Sequence, residues 1–217
     1  MISKRLKAIG DVIPNDSYVI DVGCDHALLD IYIVKNKNCR AIASDIKEGP
    51  LLKAEENIKN NNLTDKIKTS LSDGINAMPD DIDVIVLSGM GTNTILKILS
   101  SGKDKLDNIK HIIVSTQSDY YLLRKGMLDF GFIINNENFI YDKKYYLIID
   151  FVKGNRKYTE RELTYGPILI KSKNADYKKY LEREIYKLKL INKKLSFTNF
   201  GLKLKNYKKI KEMKKIL

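Results

Sequence analysis

Ile82–Leu87 constrains this chain more than any other stretch. It reads Ile-Asp-Val-Ile-Val-Leu, an almost uninterrupted apolar run. A strand of this kind is buried on both faces, which requires a parallel sheet with helices on either side. The rest of the first 152 residues agrees, alternating β-rich runs with helical stretches. Ser17–Val22 reads as a first strand, followed by a turn at Gly23 and a helix over His26–Lys35. Cys39–Ser44 is the second strand, ending at Asp45, and Gly49-Pro50 opens a helix to Asn61 with Pro in its first turn. Ile67–Leu71 and Lys110–Ser115 complete the parallel set, with helices expected over Thr92–Ser100 and Asp119–Phe130.

The rhythm then changes. Gly131–Ile140 and Lys144–Val152 are β segments separated only by Tyr141-Asp142-Lys143, so no helix fits between them and they form an antiparallel hairpin. Five βα units closed by a hairpin is the pattern of a class I methyltransferase sheet. A dinucleotide-binding fold would continue with parallel strands. The expected fold is therefore α/β, Rossmann-like, with a mostly parallel seven-stranded sheet.

Beyond Gly154 the strand pattern stops. Tyr180, Ile185, Leu188 and Ile191 recur at helical spacing in a Lys-rich background, and Leu202–Leu217 is a second such segment. Two helices of about 25 and 15 residues, hinged at Ser196–Gly201 and paired as a small antiparallel coiled coil, are expected. Tyr180 is expected to pack between them. We place domains at 1–153 and 154–217.

Charge divides at the same point. Residues 154–217 carry 19 Lys/Arg against 6 Asp/Glu, a balance of +13, whereas the first 153 residues carry 20 against 21. A neutral body joined to a cationic tail suits a polyanion, because phosphate neutralisation releases counterions. A solubilising helical face is the other reading. Lys178, Lys179, Arg183, Lys187, Lys193 and Lys194 are the candidate phosphate contacts. No apolar run approaches the roughly 18 residues of a membrane span, and the start has no secretory signal. Cys24 and Cys39 form neither a disulfide framework nor a metal-ligand spacing. A reducing cytoplasm, no metal, no membrane and a monomer are the expectations.

The turn after the first strand reads Asp21-Val22-Gly23-Cys24-Asp25-His26-Ala27. In open α/β sheets ligands sit at the carboxyl ends of strands. A nicotinamide dinucleotide needs Gly-x-Gly-x-x-Gly so that backbone can approach the pyrophosphate. Here Asp25 takes the place of the second glycine, and its carboxylate repels a diphosphate. S-adenosylmethionine has no phosphate and a positive sulfonium, so this turn favours it, with Asp21 bearing on the cofactor's ammonium group. Asp45, 22 residues after Gly23, suits the ribose hydroxyls of an adenosine; a turn-forming Asp is the alternative. Ser72-Asp73-Gly74 follows the third strand, where Asp73 can accept from the adenine amino group, although Asp-Gly is also a common turn pair. Ser88-Gly89-Met90-Gly91-Thr92 follows the buried fourth strand, and its glycines let a substrate approach the backbone; a plain helix-entry loop is the alternative. The Asn/Asp-Pro-Pro-Tyr/Phe motif of many amino-methylating enzymes is absent, which argues against methylation at adenine N6.

Together Asp21–Ala27, Gly49-Pro50, Asp73-Gly74 and Ser88–Gly91 resemble the bacterial tRNA adenine-N1 methyltransferases that modify adenine at tRNA position 22. Gly102–Leu106, Gln117, Lys144-Tyr145-Tyr146 and Tyr165-Gly166-Pro167 extend the resemblance, which runs from Ser3 to about Leu195. The resemblance implies a class I methyltransferase domain with a C-terminal coiled-coil domain and tRNA as partner. It implies Asp25 as catalytic acid/base with His26 beside it, and Asp21, Gly23, Cys24, Asp45, Ile46, Ser72, Asp73, Gly74 and Ser88 around the cofactor. Gly89, Met90, Gly91 and Gln117 are the expected substrate contacts within the body, joined by Lys178, Lys179, Arg183 and Lys187 of the tail. Three positions depart from the pattern: Thr92 replaces a usual Gly, Asp30 a frequent Pro, and Ser118-Asp119 a Pro-Asn pair. Asp30 and the Ser118 segment are expected near the substrate cleft. The rival readings are a methyltransferase for another RNA site or a small molecule, a catalytically silent RNA-binding homologue, and, on the glycine pattern, a dehydrogenase.

Overall fold

The computed structural model describes residues 2–172 and 174–217. Met1 and Lys173, counted above in the N-terminal and tail readings, lie outside them. Seven strands form one sheet: β1 (Tyr18–Val22), β2 (Arg40–Asp45), β3 (Ile67–Leu71), β4 (Val84–Ser88), β5 (His111–Thr116), β6 (Phe132–Asp142) and β7 (Lys144–Lys153). Their order is β3-β2-β1-β4-β5-β7-β6, with β1 to β5 parallel and both pairings of β7 antiparallel. The expected α/β sheet and its closing hairpin are present. Only Lys143 separates the two hairpin strands, in a left-handed conformation.

Every residue of β1 is buried, as are the first four of β4. Alternate residues serve opposite faces: Ile20, Val22, Ile85, Leu87, Ile112 and Val114 join one core, and Val19, Ala41, Ala43, Val84, Val86 and Ile113 join the other. The strand order reverses between β1 and β4, so the loops after these strands open a crevice at their carboxyl ends.

The helices are α1 (Lys4–Val12), α2 (Leu28–Lys37), α3 (Glu48–Asn60), α4 (Thr92–Ser101), α5 (Tyr120–Asp129), α6 (Glu160–Tyr165), α7 (Ala175–Lys194) and α8 (Phe200–Lys214). α1 and α6 go beyond the sequence expectation, although each has a sequence signal. Ser3 caps α1 by accepting from the Leu6 N–H, and the buried Ile9 and Ile13 follow Leu6 at helical spacing. Thr159 and Glu162 form a reciprocal capping box at the start of α6. α2 begins at Leu28 rather than His26, because Ala27 adopts a left-handed conformation.

α7 and α8 run antiparallel. Asn206 donates to Asn192 at 2.8 Å between them, inside the pair, and Met213 near the end of α8 borders the same cavity as Tyr177 and Leu181 near the start of α7. α7 spans 20 residues, shorter than expected. Tyr180 does not pack between these helices. Its ring lies 4.9 Å from Phe139 and 5.4 Å from Tyr145, centroid to centroid, on the hairpin. The side chain follows the larger apolar surface, which the sheet supplies and a two-helix seam does not.

Under this aromatic cluster lies an ion pair. Arg124 Nε donates to Glu137 Oε1 at 2.7 Å, with both side chains fully buried. Glu137 Oε2 accepts from the backbone N–H of Ile168 at 3.0 Å, and Arg124 donates to the Leu163 carbonyl at 3.0 Å. The segment that leads into α7 is thus bonded to α5 and β6. Gly166 makes this approach possible: it has φ +86°, and a Cβ there would fall 2.6 Å from Glu137 Oε2.

Candidate active site

Gly23 ends β1 with φ +77°, and its N–H and that of Cys24 donate to the Ser44 carbonyl at the end of β2. Asp25 and Ala27 follow with φ +55° each. Two left-handed non-glycine residues in one short turn store backbone strain of about 1–3 kcal/mol each. Asn57 of α3 braces the turn by donating to the His26 carbonyl at 3.0 Å.

Two cavities meet at Gly23. The first, about 270 Å³, is lined by Val22, Gly23, Asp45, Ile46, Ser72, Asp73, Gly74 and Met90, with Lys97 and Ile98 of α4 closing it. The second, about 300 Å³, is lined by Asp21, Gly23, Cys24, Asp25, His26, Ser88 and Gly89, with Arg5 of α1 on its rim. Small-molecule sites usually enclose about 300–1,000 Å³, and the two cavities together fall well inside that range. All nine expected cofactor residues and both expected catalytic residues line one cavity or the other. Gly74, with φ +71°, packs its bare Cα against Ile98, where a Cβ would approach to 3.0 Å.

The second cavity is acidic. Asp21 is 3% exposed, and its Oδ1 has no hydrogen-bond partner among the described residues. Burial pushes its carboxyl up to about 7, opposed by Arg5 and reinforced by Asp45. Asp25 is different, with a side chain 75% exposed and 3.5 Å from His26 Nε2. A solvated carboxylate beside a histidine, at the mouth of a cavity floored by a buried one, can meet positive charge at two depths.

The substrate-side expectations divide. Gly89 and Met90 line the cavities, whereas Gly91 caps α4 outside both. Gln117 is exposed on the loop after β5 and lines neither. That loop is tied to the Gly89–Thr92 segment, since Thr92 donates to the Ser118 carbonyl. Asp30 lies beside the second cavity, close to Asp21, but not on its surface. It is fully buried in α2 with neither carboxylate oxygen hydrogen-bonded among the described residues, and burial together with Asp21 pushes its carboxyl well above the usual range. The helical period turns position 30 inward, under the turn. Lys179, Arg183 and Lys187 stand exposed on α7, with Lys178 half-buried beside them. Sequence reasoning missed Arg5, Thr94, Lys97, Ile98 and Ser101, which helices α1 and α4 bring to the cavities, and Asn76 in the turn after Gly74.

Residues 19–216 match the profile of the family described as tRNA (adenine(22)-N(1))-methyltransferase. The chain belongs to this family. It is 30% identical over 204 residues to the tRNA (adenine(22)-N(1))-methyltransferase of Bacillus subtilis strain 168, covering 90% of this chain and 86% of that protein. The structure superposes on that of M. capricolum TrmK in complex with S-adenosyl-homocysteine with a TM-score of 0.86, at 33% identity over 99% of this chain and 97% of that one. A Streptococcus pneumoniae protein solved in complex with S-adenosyl-L-methionine gives a TM-score of 0.90 at 29% identity, covering 100% of both chains. Family and fold are those the strand-end motifs implied, and a dehydrogenase is set aside. Among the described residues no cluster of three or more His, Cys, Asp or Glu could hold a metal ion. None of the described helices is long and apolar enough to cross a membrane.

Proposed function

We propose that this chain transfers a methyl group from S-adenosylmethionine to N1 of adenine 22 in tRNA, in the cytoplasm. The junction of two cavities at Gly23 carries the reading, one nucleoside-sized and edged by carboxylates, the other acidic and open to solvent. The residues present fit the cofactor. Asp45 and Asp73 face the space for an adenosine, Ile46 and Ile98 supply apolar walls, and the unpartnered Oδ1 of Asp21 suits an ammonium group. When bound, S-adenosylmethionine supplies an electrophilic methyl group on a sulfonium centre.

Adenine N1 carries its own lone pair, so the chain has to position the base rather than activate it. Alignment of this kind is worth roughly 7–11 kcal/mol. Asp25 stands where positive charge develops on the ring, and it stabilises that charge or accepts a proton from the exocyclic amine. His26 orients it. Gly89 and Met90 border the entry for the base, and the loop that carries Gln117 is bonded to their segment through Thr92. N1 lies on the Watson–Crick edge, so a pairing partner has to be displaced first. Residues 1–153 carry the chemistry, and residues 154–217 hold the RNA through Lys178, Lys179, Arg183 and Lys187.

The test is labelled methyl incorporation into tRNA lacking the modification, beside a transcript in which adenine 22 is replaced. Label confined to adenine 22 supports the reading. Label at another site, or in a small molecule only, overturns it.

A further inference from the structure

Large apolar side chains are exposed together at the outer end of the α7–α8 pair. On α8, Phe200 is 69% exposed and Tyr207 59%. With the exposed Leu204 they stand at positions i, i+4 and i+7, which is one stripe along a helix. Asn206, bonded to Asn192 of α7, and Ile210 are buried on another side of α8. The same bond sets Leu190 and Ile191 of α7, both exposed, at the level of this stripe. Exposed apolar side chains are ordinary singly, but a group of them marks a surface that meets something.

Charge says what that is. Residues 185–211 contain nine Lys and no Asp or Glu. Two copies of this end would bring like charges together, so a second copy is a poor occupant. An apolar stripe set in cationic surface fits a partner with negative charges and flat apolar faces between them. Unpaired RNA is built this way, with a phosphate and a base in every nucleotide. In a duplex the bases are closed on each other, and aromatic side chains have nothing to stack on. An anionic lipid surface takes a helix with a broad apolar face, whereas this stripe is a single side chain wide.

We propose that Phe200 and Tyr207 stack on unpaired bases in a loop of the tRNA, while the lysines around them meet its phosphates. This rests on the tRNA reading above and adds a second kind of contact to it. Neither ring lines the cavities at the turn, so the loop is a part of the RNA separate from the adenine that takes the methyl group. α7 carries this end about 20 Å beyond Tyr180 and its seat on the hairpin. Phosphate contacts along α7 hold any RNA, and the rings at its outer end favour one with an open loop at that reach.

The experiment is binding of the full chain to an unmodified tRNA transcript, to a loop-free RNA duplex and to phosphatidylglycerol vesicles. Wild type is compared with two double variants: Phe200→Leu with Tyr207→Leu, which keeps apolar surface and loses both rings, and Phe200→Tyr with Tyr207→Phe, which keeps the rings. The Leu pair is expected to weaken tRNA binding by about 10- to 100-fold and to leave duplex binding within about twofold. The salt dependence of tRNA binding should not change, because no phosphate contact is lost. The ring-keeping pair should bind as wild type does. Unchanged S-adenosylmethionine affinity and helix content show that the variants are folded. Unchanged tRNA affinity in the Leu pair overturns the inference, as does an equal loss on the duplex or a loss in the ring-keeping pair. Vesicle binding that the Leu pair abolishes gives the stripe to a membrane, and wild-type self-association that it abolishes gives the stripe to a second copy; either overturns the inference. Methyl label away from adenine 22 overturns the function proposed above and leaves this contact standing, whereas label at adenine 22 with unchanged affinity in the Leu pair overturns this contact alone.

Discussion

The hydroxyl of Thr92 donates to the carbonyl oxygen of Ser118 at 2.8 Å. The bond joins the N-terminus of α4 to the loop after β5. Thr92 is 1% exposed at the start of α4, and Ser118 lies in the loop after β5. The bond ties the loop after β4 to the loop after β5, with the Thr116 hydroxyl also within reach of the Met90 and Ser118 carbonyls. Thr92→Val keeps the shape and removes the donor. It is expected to cost about 1 kcal/mol of stability and to raise KM for tRNA several-fold with little change in donor affinity. Steady-state kinetics beside donor titration check this; an unchanged KM would show that the tie does not position the loops.

Asp25 touches solvent and His26. Asp25→Asn keeps volume and polarity and loses the charge. Turnover should fall by about 10²–10⁴-fold while donor affinity stays within a few-fold. Single-turnover methylation at saturating donor is the measurement, and wild-type turnover would remove Asp25 from the mechanism.

Asp21 is held at about 7 by burial, against an unfolded value near 3.8. The folded protein therefore keeps a proton that the unfolded chain has released, and the benefit runs below about pH 4 and is lost as pH rises through 7. Ligand-free protein should lose Tm between pH 5 and pH 8, and Asp21→Asn should lose less. Donor binding needs the ionised carboxylate, so wild-type affinity should rise over the same interval. Identical pH profiles of Tm for wild type and variant would contradict the assignment.

Removing one partner of the Arg124–Glu137 pair strands a buried charge. Arg124→Met alone is expected to destabilise by about 3–5 kcal/mol, and Arg124→Met with Glu137→Leu by much less. Urea denaturation of both variants measures this. A double variant as unstable as the single one would show that the pair is worth more than apolar packing in its place.

The cationic face of α7 predicts a salt effect. Replacing Lys178, Lys179, Arg183 and Lys187 with Gln should weaken tRNA binding and flatten its dependence on salt, by nearly one unit of slope for each phosphate that is no longer neutralised. Donor affinity should not move. Substitution is a cleaner probe than removing residues 174–217, because Tyr177, Leu181 and Ile216 share a core with the sheet.

The sheet is legible in the sequence because its signals are local. The apolar run at Val84–Leu87, the Asp21–Ala27 turn and the short polar break around Lys143 each announce themselves within a few residues. The cofactor side of the site is legible for the same reason, since strand ends deliver it. Arg5, Lys97 and Ile98 are not, because helix packing across the sheet decides which helical face reaches the cleft. Tyr180 misleads for a related reason: its spacing fits a helical seam, but Phe139 and Tyr145, far away in sequence, offer a larger surface. Asp30 is near the cleft, as its place in the sequence suggests, but the helical period buries it beneath the cavity wall instead of on its surface.

The aromatic seat under Tyr180 has one more effect. An arm rooted by Tyr177 and Tyr180 to the hairpin leaves the body in a set direction, so its charges stand at a fixed offset from the strained turn at Asp25. A shift of α7 by one residue against this seat would turn its charged side chains by about 100° and move them about 1.5 Å relative to that turn.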